Sequence, residues 1–158
     1  MSSVKVSAVV DEKKTLPGCE LCEHTGGELV VSAAAWRVIR VRDADFPAFY
    51  RVVWQGHVVE FGDLDPAARA LCMEVVARVE GVLRARLAPT KVNLAALGNV
   101  VPHLHWHVIA RFDWDSHFPQ PVWGARQREV GSPAPVDRLA VTLATLDDAV
   151  RQALADLA

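Results

Sequence analysis

The sequence predicts an α+β fold, an antiparallel β-sheet carrying two main helices. Three observations lead there. Strand-like runs rich in β-branched and aromatic residues precede one helical segment, and a second pair of such runs follows it. A second helical segment closes the chain, an order that suits an antiparallel sheet. One stretch, "HLHWHVI", alternates with the period of two that a strand requires. With 158 residues, about half of them apolar, the chain suits one domain that can bury a core without disulfides.

Taken in order, residues 1–18 read as a tail with at most one short extended piece, and a single domain is expected over 19–158. "ELVVSAAAWRVIRV" (28–41) reads as one or two strands. "RDADFP" is a turn punctuated by Asp43, Asp45 and Pro47. "AFYRVVWQGHVVEF" resumes extended character and is interrupted at Gly56. The first helix opens with Asp65 as cap and Pro66 at the first helical position, where a missing N–H costs nothing. Leu71, Val75, Val79, Val82 and Leu83 follow at helical spacing, and Pro89 stops the helix. "KVNLAAL" (91–97) reads as a strand, Gly98-Asn99 as a tight turn, and Val100 to Phe112 as the partner strand. Residues 113–135 lack periodicity and read as an ordered strap, held by Trp114, Phe118 and Trp123. The second helix is expected to be capped at Asp137, with Leu139, Leu143, Leu146, Val150, Leu154 and Leu157 on one stripe.

A formal charge of −2 offers no basic surface for nucleic acid or membrane. No stretch reads as a signal peptide or a membrane span, so the cytoplasm is the expected compartment. Three cysteines do not make a disulfide framework. Cys19 and Cys22 form a C-x-x-C, and Cys72 reads as a buried, inert thiol.

His103, His105 and His107 are three of six histidines. In a strand they share one face at a spacing of about 6.7 Å, while Leu104, Trp106 and Val108 share the packing face. Three readings are open. The imidazoles could be structural, bonded to backbone; they could chelate zinc or copper; or one could be a nucleophile toward phosphorus, flanked by two helpers.

The string "HLHWHVI" resembles the H-φ-H-φ-H-φ-φ signature of the histidine triad (HIT) superfamily of nucleotide hydrolases and transferases. The upstream order matches as well: an extended segment ending in a histidine ("AFYRVVWQGHVV"), a helix ("DPAARALCMEVVARVEGVLRARL"), and an Asn-bearing strand ("KVNLAALGN"). The resemblance covers roughly residues 19–123. It implies attack by His105 on the α-phosphorus of a nucleoside phosphate, with a nucleotidyl-histidine intermediate released by water. Dinucleoside polyphosphates or nucleoside phosphoramidates are the implied small-molecule substrates. By the same resemblance His107 contacts phosphate and helps the leaving group, and His103 supports the site or binds metal. Asn93 reaches the phosphate or leaving group, Asn99 belongs to the polar turn before the triad, and Asp43 stands where a ribose hydroxyl is bound. Read from their residues alone, Asn99 and Asp43 serve equally well as turn residues.

Two departures stand out. Val100 replaces a hydroxyl residue, and "W-Q-G-H" replaces "P-K-x-H", so a lysine near the polyphosphate path is missing. Several bacterial HIT proteins, and the related galactose-1-phosphate uridylyltransferases, join an N-terminal C-x-x-C to two histidines around zinc. Mapped onto this chain, the implied ligands are Cys19, Cys22, His57 and His103. Such a closed set of two thiolates and two imidazoles makes the zinc structural. No organic cofactor is implied, and a homodimer is expected. His24 reads as a surface residue and His117 as part of the strap, whose Trp123 could close the site. A nucleotide-binding regulatory module and a three-histidine metalloenzyme remain as alternatives.

Overall fold

The computed structural model describes residues 14–158; the tail expected over 1–18 lies for the most part outside them. Five antiparallel strands form one sheet in the order β1-β2-β3-β5-β4. The strands are β1 (Glu28–Ser32), β2 (Trp36–Arg40), β3 (Phe49–Trp54), β4 (Lys91–Ala95) and β5 (His105–Arg111). A one-turn helix, α1 (Glu20–Glu23), precedes them, and two longer helices, α2 (Pro66–Leu87) and α3 (Leu143–Leu154), complete the fold. This is the α+β arrangement expected, with α1 in addition. No helix among the described residues is long and apolar enough to cross a membrane.

Alternation divides the sheet into two faces. The even-numbered residues of β2, β3 and β5, among them Trp36, Val38, Tyr50, Val52, Val108 and Ala110, pack against Val75, Val76, Val79 and Leu83 of α2 and Leu146, Val150 and Leu154 of α3. Arg40 and Tyr50 also reach the Asp147 carboxylate on α3, at 3.0 and 2.7 Å, so the helix is tied to the sheet by polar contacts inside the apolar layer. The odd-numbered residues face the other way and carry the chemistry.

α2 begins as its sequence dictates, the Asp65 side chain accepting from the N–H of Ala68 with Pro66 following. It ends at Ala88, whose φ of +45° is left-handed, a conformation that costs any residue with a Cβ. Cys72 packs with Leu64 and Leu104, and burial pushes its thiol up to about 11, the inert state expected.

"ELVVSAAAWRVIRV" forms two strands, within the one or two expected, and the next extended run is interrupted as expected, β3 stopping at Trp54 before the bend at Gly56. Two expectations are corrected. β4 and β5 pair without a tight hairpin, because β5 starts at His105 rather than Val100. Pro102 lacks the N–H a ladder needs, and the His103 N–H turns back to the carbonyl of Val101 at 2.8 Å. Finally, α3 is capped by Thr142, whose hydroxyl accepts from the Thr145 N–H, while Asp137 lies in a separate 3₁₀ turn, Pro135–Arg138.

Candidate active site and metal centre

The C-x-x-C forms a knuckle on α1. The N–H groups of Cys22 and Glu23 both turn to the Cys19 carbonyl, and the Leu16 N–H donates to Cys22 Sγ at 3.4 Å. Residues 14–16 therefore belong to this site, and the His57 N–H also donates to the Lys14 carbonyl. Behind the knuckle the buried Arg37 guanidinium donates to the carbonyls of Leu21, His24 and Thr25 and to Gln55 Oε1. These bonds fix the loop on β2.

Four side chains converge here. His103 Nδ1 lies 3.4 Å from Cys19 Sγ and 3.5 Å from Cys22 Sγ, and His57 Nδ1 lies 3.5 Å from Cys22 Sγ. All four donor atoms fall within 4.8 Å of one another. A tetrahedral zinc with ordinary bond lengths separates its sulfur and nitrogen donors by about 3.6 Å, so the set fits such an ion. The tautomer agrees. His103 Nε2 lies 2.6 Å from the Trp54 carbonyl, which can only accept, so Nε2 carries the proton and Nδ1 presents its lone pair to the thiols. Burial holds the Cys22 thiol above its ordinary value and the adjacent Cys19 adds to this; a cation between them would reverse both effects. The three cysteines are free thiols.

His105 and His107 follow on β5 with ring centroids 4.8 Å apart. His105 Nδ1 lies 2.6 Å from the carbonyl of His103, which again fixes the tautomer: Nδ1 donates, and Nε2 is left as a free base. Burial keeps this ring neutral by lowering its pKa. His107 is pushed down to about 3 by burial, with His105 and Arg51 adding to it, and its buried Nδ1 has no partner. The rings of Phe49 and Trp123 lie against His107 at 5.5 and 4.9 Å. Beside them Phe46, Phe49 and Ile109 form an apolar floor, with Val41 and Val122 at its margin.

The triad thus splits. His103 lies before the strand and turns its ring to the thiols, so the three imidazoles do not form a common ligand set; among the described residues the one candidate metal cluster is Cys19, Cys22, His57 and His103. Asn93 is on the same face as His107, and its Oδ1 accepts from Arg111 Nη1 at 2.7 Å. Asp43 Oδ1 accepts from the N–H groups of Asp45 and Phe46, the turn role open to it from sequence. Asn99 is exposed on the loop after Gly98, whose φ is +69°.

Sequence reasoning missed three arginines of this face: Arg37, Arg51 and Arg111. Arg111 is clamped by Asp115 at 2.8 and 3.0 Å and anchors the strap after β5. A charged residue in a strand, between apolar chain neighbours, was the available signal.

The HIT domain model matches residues 27–114. The chain belongs to the histidine triad family. Members of this family are nucleotide-binding hydrolases and transferases, and the HIT fold has solved examples close to this one. A histidine triad protein from Bradyrhizobium japonicum is 31% identical, with 81% of this chain and 90% of that one covered at a TM-score of 0.65. One from Sinorhizobium meliloti is 27% identical, with 89% and 97% covered at a TM-score of 0.67. A zinc-bound histidine triad family protein from Mycobacterium smegmatis shares the fold at 19% identity, with 89% and 95% covered and a TM-score of 0.58. A search of curated proteins finds no match.

Proposed function

We propose that this HIT protein cleaves phosphoanhydride or phosphoramidate bonds at the α-phosphate of dinucleoside polyphosphates or nucleoside phosphoramidates. The observation that carries the proposal is the 2.6 Å contact between His105 Nδ1 and the His103 carbonyl. With Nδ1–H held by the His103 carbonyl, the Nε2 lone pair is the nucleophile. It forms the N–P bond as the bond from phosphorus to the leaving group breaks, and the leaving group takes up a proton. Water then attacks phosphorus and releases one proton to the solvent, the N–P bond breaks with its electron pair returning to Nε2, and the nucleoside monophosphate departs. His107, neutral and adjacent, supports both displacements by donating one N–H to the phosphoryl oxygens or the leaving group. Asn93 supports the same role through its amide. The apolar floor of Phe46, Phe49 and Ile109 suits a nucleobase, with Asp43 at its edge for the ribose.

Cys19, Cys22, His57 and His103 would hold a structural zinc that braces the segment preceding the nucleophile; four protein donors leave it no open position for substrate. A free thiol pair fits the reducing cytoplasm expected from the sequence. The edge strand β4 exposes Leu94, with Leu97 and Val100 beyond it, which supports the expected homodimer.

The test is to incubate the protein with radiolabelled adenosine phosphoramidate and diadenosine polyphosphates, quench, and map the label. Label is expected on His105 and is lost in His105→Asn. Label on another residue, or turnover that survives in His105→Asn, would overturn the assignment. Tight nucleotide binding without turnover would instead favour the regulatory module.

A further inference from the structure

One cation on the site face has no role in the chemistry above. Across the sheet, Ile39, Arg51, His107 and Ala95 form one row over β2, β3, β5 and β4. Opposed residues place their Cβ atoms about 4.5–5.5 Å apart and diagonal ones about 7–8 Å. Arg51 is therefore the direct neighbour of His107 and the diagonal neighbour of His105, which pairs with Val53. Its Cζ lies 5.6 Å from the centroid of the Phe49 ring, which itself packs on His107.

The three arginines of this face differ in how they are satisfied. Arg37 is taken up by three carbonyls and Gln55, and Arg111 by Asp115, Asn93 and the Gln120 carbonyl. Arg51 makes no ion pair or side-chain hydrogen bond among the described residues, and its Nε is sealed from solvent without a partner. Burial weakens its hold on its proton, and Glu20 is the acidic group that offsets this. The residue is only half-buried, so an anion can approach the Nη end. A partly desolvated guanidinium whose neighbouring carboxylate, Glu20, forms no ion pair with it is unfavourable in the free protein, and an arriving anion offsets that cost.

We infer that Arg51 is the phosphate-binding cation of this site, its guanidinium taking the non-bridging oxygens of the phosphoryl group that His105 attacks. The planar fork matches two such oxygens at once, as a lysine would not. No bond to Arg51 forms or breaks; it holds the negative charge on those oxygens while the bond to Nε2 forms and the leaving group departs. The ligand class is a nucleoside phosphate, and inorganic phosphate shares the recognised chemistry. This inference rests on the phosphoryl-transfer reading but is tested apart from it.

The experiment is calorimetric titration of the zinc-loaded full chain with AMP, adenosine and inorganic phosphate, in the wild type, Arg51→Gln and Arg51→Met. The wild type is expected to prefer AMP to adenosine. Both variants should lose about 10- to 100-fold in AMP affinity, as for a lost bond to a charged group, with adenosine binding unchanged. Weak phosphate binding should vanish with the AMP preference. Arg51→Met should melt at or above the wild-type temperature, because it removes a half-buried cation that forms no ion pair; a merely structural arginine would melt lower. An AMP preference that persists in the neutral variants, or is absent from the wild type, overturns the inference. Failure of His105 to become labelled would overturn the covalent mechanism alone, since the AMP comparison reads the anion site without turnover.

Discussion

Replacing Asp115 with alanine strips the charged partner from a guanidinium that is sealed from water. The Arg111 and Asp115 side chains are 1% and 2% exposed. The carboxylate accepts from Arg111 Nε and Nη2 and from the N–H groups of Phe112, His117 and Phe118. Breaking one side of a buried pair costs about 3–5 kcal/mol, because the survivor is left charged and unpaired. Against a total of about 5–15 kcal/mol, Asp115→Ala should therefore lose about a fifth or more of the stability. Urea unfolding of the zinc-loaded protein measures this. Arg111→Met combined with Asp115→Asn should recover part of the loss, since the double replacement leaves no orphan charge and keeps a side-chain oxygen for the backbone N–H groups. The pH dependence has a definite sign. Burial alone would raise the Asp115 carboxyl, but Arg111 and the backbone donors outweigh it and hold it below 3.8. The unfolded chain thus takes up the proton first. The contribution is complete above the ordinary carboxylate value and is lost as pH falls below 3.8 toward the folded value. A loss within about 1 kcal/mol, as for an exposed pair, would refute this reasoning.

Metal analysis should find one zinc per chain in the wild type and none in Cys19→Ser combined with Cys22→Ser, with a lower melting temperature; full occupancy in that variant would exclude the thiol site. Ala88→Gly should stabilise the protein by about 1 kcal/mol, read as a higher urea midpoint at unchanged slope, because glycine adopts the left-handed end of α2 without strain.

Much of the site was legible because its signals are local. The alternation of His105, Trp106 and His107 separates the chemical face from the packing face, as β5 does. Asp65 followed by Pro66 marks the start of α2. The C-x-x-C needed resemblance to be joined to His57 and His103, because 84 residues separate Cys19 from His103 and spacing says nothing about such closure. Two boundaries were misjudged. Residues 100–104 look extended, yet Pro102 cannot donate to a ladder, a signal present in the sequence. Asp137 and Thr142 are equally good caps, and the turn built on Pro135 decided for Thr142. The arginines were read past because a charge in a strand reads as a solvated position until the second face of the sheet proves to be covered.

The bond from the His105 ring to the main-chain oxygen of His103 has a mechanical consequence. The residue whose imidazole belongs to the donor cluster also supplies the oxygen that selects its neighbour's tautomer, so displacing one displaces the other. An oxidant that converts the paired thiols and loosens the knuckle would thus be felt as altered reactivity two positions along the chain, without ever meeting the reacting nitrogen.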